Sequence, residues 1–172
     1  MNAHKLRSGG RSMKYVLCNV VLIAALGCVS TDSHAGCGWE EFRAVNRTGW
    51  KDALGRCSPA EQVEIYIKSV FSTIPANYDL VDAIAGQGKN VVPALVERIE
   101  RSDSLEDELN MPELLFVLVR MQSSGSYAVA EDKRVMARLS AAVRAMKEEG
   151  LKEATEQSLG RLTSPSGAAK AR

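Results

Sequence analysis

The chain has 172 residues, with 22 basic and 21 acidic side chains and only two histidines, His4 and His34. Both precede Ala35, so a domain built from the remainder has no imidazole for a Ser-His-Asp or Cys-His mechanism and lacks the commonest zinc ligand. The charge is near balance and Lys and Arg do not cluster, which excludes the usual electrostatic footprint of a nucleic-acid-binding protein.

The first element is the apolar run from Tyr15 to Gly27, preceded by Lys5, Arg7, Arg11 and Lys14. It is shorter than the roughly 20 residues that a membrane-spanning helix needs. Its length and positive flank suit the apolar core of an export signal, and Met13 begins a compact version of the same signal. The stretch Ala24-Ala25-Leu26-Gly27-Cys28 resembles the lipobox of bacterial lipoproteins, in which small or apolar residues and Gly precede the Cys that receives lipid. That resemblance implies an export signal over residues 1–27, a lipid anchor on Cys28, and a place on the periplasmic side of the bacterial envelope. In such lipoproteins Val29, standing where Asp would otherwise follow the Cys, implies the outer membrane. A second small-x-small site, Ser33-His34-Ala35, offers cleavage after Ala35 and a soluble periplasmic or secreted product. Both routes stay open.

The leader carries four basic residues and no acidic one, so the chain from Cys28 onward has 18 basic and 21 acidic residues and a net charge of −3. Cys18 leaves with the leader, and Cys28 is lipidated or removed. Cys37 and Cys57 then form an even pair in an oxidising compartment, which predicts a disulfide between them. Closing a loop of about 21 residues contributes roughly 3 kcal/mol in the chain-entropy treatment. Residues 28–36 read as a short polar tether and residues 37–162 as one helical domain.

Trp39 to Val45 predicts a short helix that ends near Asn46, with Trp39, Phe42 and Trp50 packing the disulfide loop onto the first long helix or, in the alternative, stacking on a ligand. Ser58-Pro59-Ala60-Glu61 has the pattern of a capping box, followed by Val63, Tyr66, Ile67, Val70, Phe71 and Ile74 at helical spacing up to Pro75. A further helix is expected from Asn77 through Ala85, a break at Gly86-Gln87-Gly88, and another helix from Val91 to Ile99 with Pro93 in its first turn. Residues 77–101, with Val92-Pro93-Ala94-Leu95 at their centre, resemble a HEAT-type helical hairpin. The resemblance implies stacked antiparallel hairpins and no activity.

Ser102-Asp103-Ser104 predicts the cap of a short acidic segment, Leu105–Leu109, whose carboxylates suit a helix N-terminus better than a calcium loop. Pro112 is expected to open a separate apolar helix, Glu113–Met121, at the centre of the core. Ser123-Ser124-Gly125-Ser126 reads as a loop, and Val129–Glu149 as the longest amphipathic helix. Gly150 reads as an interruption, Leu151–Leu162 as the last helix, and residues 163–172 as a disordered tail. The fold expected is all-α, a compact stack of antiparallel hairpins of HEAT-like or irregular-bundle type, with about five to seven helices.

No Walker or dinucleotide glycine loop, metal-ligand spacing or nucleophile motif is present, so no catalytic, cofactor or metal residue is nominated. The expected function is non-enzymatic binding of another envelope protein, as an adaptor, an assembly factor or a toxin-immunity protein. The alternatives are a carboxylate-dependent hydrolase of cell-wall glycan, with Asp79/Asp82 or Glu61/Glu64 as conceivable pairs, and a carrier of apolar ligands. Charge is uneven, with eleven acidic and four basic residues from Glu61 to Glu113 but six acidic and nine basic from Glu131 to Arg172. Such asymmetry suits a charged partner.

Overall fold

The computed structural model describes residues 37–72, 78–101 and 103–164. Residues 1–36, with the apolar run, Cys28, His34 and Ala35, lie outside that set, as do Pro75, Asn77, Ser102 and the final eight residues. The described residues form eight α-helices and three 3-10 turns, with no strand among them. The fold is all-α and of the irregular-bundle type.

Helix α1 (Trp39–Arg43) and α2 (Trp50–Gly55) flank a 3-10 turn over Arg47–Gly49, and the Asn46 side chain accepts the Thr48 amide at the start of that turn. Phe42 is buried between Trp39 and Trp50, with ring centroids 6.3 and 5.4 Å away, and the Trp50 indole donates to the Val45 carbonyl. The Cys37–Cys57 disulfide closes this segment with its Cα atoms 5.5 Å apart. Helix α3 (Pro59–Phe71) starts at the expected capping box: the Ser58 hydroxyl accepts the Glu61 amide, and the Glu61 carboxylate accepts the Ser58 amide. The same carboxylate accepts the Cys37 amide, which ties the disulfide loop to the helix.

Helix α4 (Val81–Ala85) is one short turn that packs on α6 (Leu105–Ser124), and α5 (Val92–Glu100) packs on α7 (Lys133–Ala145), α3 and α6. The segment with HEAT-like spacing thus divides its contacts among other helices. Gly88 takes φ +57°, where a Cβ would stand 2.8 Å from the Ser126 carbonyl oxygen, so the chain needs glycine there. Gly86 keeps an ordinary right-handed backbone.

Several expected boundaries are corrected. The acidic segment and the apolar helix are one 20-residue helix, α6 (Leu105–Ser124), with Pro112 inside it. The Ser104–Asp107 capping box nucleates the helix upstream, and the proline leaves only the Glu108 carbonyl without its N–H donor. α6 also runs two residues into the serine stretch and closes in a Schellman motif, with Gly125 at φ 73° and the Ser126 amide on the Met121 carbonyl.

The expected helix over Val129–Glu149 is divided into a 3-10 turn (Val129–Glu131), α7 (Lys133–Ala145) and the start of α8 (Glu149–Thr163). Asp132 caps α7 by accepting the Arg134 and Val135 amides. The second break falls at Met146 and not at Gly150, which lies in the first turn of α8. The buried Glu108 carboxylate enforces it from a different helix, accepting the Lys147 and Glu148 amides at 2.9 and 3.0 Å. α8 therefore starts beside the first turns of α6, and the two form the most extensive helix pair of the domain. α8 reaches Thr163, one residue past the expected end.

α6 is the core helix. Met111, Leu114, Leu115, Val117, Leu118 and Met121 are fully buried against Tyr66, Ile84, Leu95, Leu139 and Leu162 from five other helices.

Candidate functional site

One side of α6 is open. Leu105, Leu109 and Phe116 are 60, 44 and 42 % exposed, and with half-buried Pro112 they follow one another in steps of four, three and four residues. That spacing keeps them in a single row along the helix. Tyr78, ahead of α4, is 46 % exposed and meets Phe116 edge to face at 6.0 Å. The ring pair forms a ridge between two grooves. One, of about 410 Å³, is lined by Tyr78, Pro112, Glu113 and Phe116. The other, of about 280 Å³, is bounded by Val81, Asp82, Val119, Arg120 and Ser123.

Glu113 stands at the edge of the larger groove. Burial pushes its carboxyl group above the usual range, while a hydrogen bond from the Tyr78 hydroxyl at 3.4 Å opposes the shift. The carboxylate charge in turn raises the Tyr78 phenol. Beneath them the fully buried Tyr66 donates to the Glu113 backbone carbonyl at 3.4 Å, and its phenol is raised first by burial and then by the Glu113 charge. The site therefore combines an apolar row, an aromatic ridge and one carboxyl group at the groove edge whose proton affinity burial raises.

The carboxylates singled out in the sequence are otherwise engaged. Glu64 accepts Arg98, Asp79 pairs with Arg47, and Asp82 receives both Arg120 Nε and Nη2. Within the acidic run, Asp107 holds Ser104 and Arg98, which keeps its carboxyl below the usual range, and Glu108 points inward to the Lys147 and Glu148 amides between α7 and α8. These groups do not converge, and among the described residues no set of three His, Cys, Asp or Glu side chains is placed to hold a metal. Trp39 and Trp50 pack with Phe42 at the disulfide loop. Cys28 lies outside the described residues. Among those described, no helix is long and apolar enough to cross a membrane.

Two further cavities are lined by paired charges. A 480 Å³ groove between α2 and α4 is bordered by the Arg47–Asp79 pair. A 420 Å³ groove between α5 and α7 holds Lys89, Arg134 and Arg138, with Arg138 bonded to Glu100 and the Lys89 charge acting on Asp132. Comparison with protein-family models, curated protein sequences and solved structures gives no match.

The sequence pattern put Leu105 and Leu109 in one segment and Phe116 in another, which hid the row they form. The signal that finds it is the step pattern once Pro112 is allowed inside the helix. Glu113 was visible only as an acid in an apolar run.

Proposed function

We propose that the protein is exported to the bacterial envelope, carries a lipid on Cys28, and acts there by binding another protein, without catalysis. The reading is carried by the continuous row of large apolar side chains on the outer face of α6, with Tyr78 beside it. Scattered apolar residues on a surface are ordinary, whereas a contiguous strip beside a groove is the mark of an interaction site. An adaptor, an assembly factor and an immunity protein all use such a face, and the polar stretch at residues 28–36 supplies reach from a membrane anchor.

Two variants test the two halves. Cys28→Ala abolishes incorporation of a fatty-acid analogue, and unchanged labelling refutes the anchor. The double variant Leu109→Asp, Phe116→Asp keeps a wild-type circular dichroism spectrum and loses its partner in pull-downs from envelope extract. Retained capture refutes the binding face.

Glu113 favours one second reading. A carboxyl group raised by burial at a groove is the form a general acid takes, and supports a glycan hydrolase. The residues lining that groove include no second carboxylate, so binding is the better-supported function. Glycan cleavage that disappears in Glu113→Gln would reverse this order.

A further inference from the structure

We infer that the occupant of the α6 face is an amphipathic helix carrying Lys or Arg along one edge of its apolar seam. The inference rests on the binding reading above and adds the shape and charge of the partner. Its first support is spacing. Leu105, Leu109, Pro112, Phe116 and Val119 alternate steps of four and three, which is the d-a-d-a-d seam of a heptad pattern. A seam of that kind accepts a second helix by inserting side chains from one into gaps of the other. From Leu105 to Phe116 it extends about 16 Å, enough for three turns of partner helix.

The second support is charge. Counted from that seam, Glu106 and Glu113 are successive e positions, seven residues apart on one edge. Asp103 stands exposed just ahead of them. Elsewhere on the domain the carboxylates of Glu64, Asp82, Glu97, Glu100 and Asp107 each hold an arginine. Among the described residues Asp103, Glu106 and Glu113 have no basic partner. The third e position, Arg120, is already neutralised by Asp82. The opposite edge is closed, since its g positions are the buried Glu108 and Leu115. One edge is therefore left open, and it is acidic. Charges at e and g positions set partner choice, so this edge selects a basic helix. A second copy docking through the same α6 face, or an anionic lipid surface, would bring like charge against it.

The test uses the full chain and two fluorescent three-heptad peptides, identical at the seam and carrying Lys or Glu at every e and g position. The Lys peptide binds about fivefold tighter than the Glu peptide at low salt, and the gap narrows as salt rises. In the variant Glu106→Lys, Glu113→Lys the preference reverses, while Phe116→Asp weakens both peptides. Equal affinities, or a preference unmoved by the charge swap, overturn the inference. If the Lys peptide binds only a chain ended at Ser164, the occupant is the chain's own tail with Lys170 and Arg172, and the inference of a separate partner fails. A photocrosslinker at Leu109 separates the two proposals. Phe116-dependent crosslinks to an envelope protein in the absence of peptide binding defeat the basic helix and keep the binding face. Absence of both defeats the binding face as well.

Discussion

On its inner side α6 presents Met111, Leu114, Leu115, Leu118 and Met121, all closed to solvent, whereas on its outer side Leu105, Leu109 and Phe116 stay open by two fifths or more. The two sides carry side chains of similar size and polarity on one backbone. The difference lies in what stands opposite. α8, α4, α5 and α3 cover the inner side, and no described helix covers the outer one. Polar residues follow the same division. Inside, Glu108 has both carboxylate oxygens on backbone amides, while at the outer edge Glu113 has a single long hydrogen bond from Tyr78. A helix that is apolar nearly all round can therefore serve as the core on one side and as a recognition surface on the other.

The comparison is broken most severely from inside. Leu118→Ala should lower unfolding free energy by about 2–5 kcal/mol in urea titration, the range for a leucine deleted from a core that cannot fully collapse. A loss well below 1 kcal/mol would mean that the inner side is not tightly packed. Next comes Glu108→Ala, which leaves the Lys147 and Glu148 amides without their acceptor and costs about 1–3 kcal/mol. Hydrogen exchange should then accelerate at those two amides before it does in the middle of α8. Unchanged protection would show that the break between α7 and α8 does not depend on Glu108.

Gly88→Ala acts on the turn between α4 and α5, where the backbone passes Ser126 just beyond the end of α6. The positive φ and the approach to Ser126 predict a cost of about 1–3 kcal/mol, read as a fall in midpoint on thermal unfolding.

Glu113 gives a pH-dependent effect of smaller size. Its folded-state carboxyl is raised, so the fold favours the protonated form. That stabilisation is complete below the ordinary carboxylate range and is lost as pH rises through the raised value. Stability of the native chain relative to Glu113→Gln should accordingly increase as pH falls from about 7 to about 4. Asp82, Glu100 and Asp107 are lowered by their arginine or serine partners and act in the opposite sense, equally in both proteins. A constant difference across that range would remove Glu113 from the titration.

The smallest effect sharpens the comparison. Phe116→Ala on the outer side should change stability by less than about 1 kcal/mol, although its neighbour Leu118 on the inner side is critical. A loss approaching that of Leu118→Ala would show Phe116 to be part of the core.

Local chemistry was readable residue by residue. The Ser58 capping box, Pro93 in the first turn of α5, the pairing of Cys37 with Cys57 and the Trp–Phe–Trp cluster all depend on neighbours in sequence or on the count of cysteines, and all are present. Boundaries set by distant residues were not readable. Pro112 was expected to begin a helix because its ring removes one hydrogen bond, but the turns on either side are held by packing on α8 and α4, which local rules do not contain. Gly150 was expected to end one because glycine is a poor helix former. The break at Met146 is instead held by the Glu108 carboxylate, which accepts the Lys147 amide across a separation of 39 residues.

By itself the sequence determined the helical class, the disulfide and the capping of individual helices, because those follow from periodicity, cysteine count and interactions within one or two turns. Only the tertiary structure decided which side of α6 is covered, where α7 gives way to α8, and that Tyr78, Glu113 and Phe116 share a site. Burial is a property of what lies opposite a side chain, and that is supplied by segments far away along the chain.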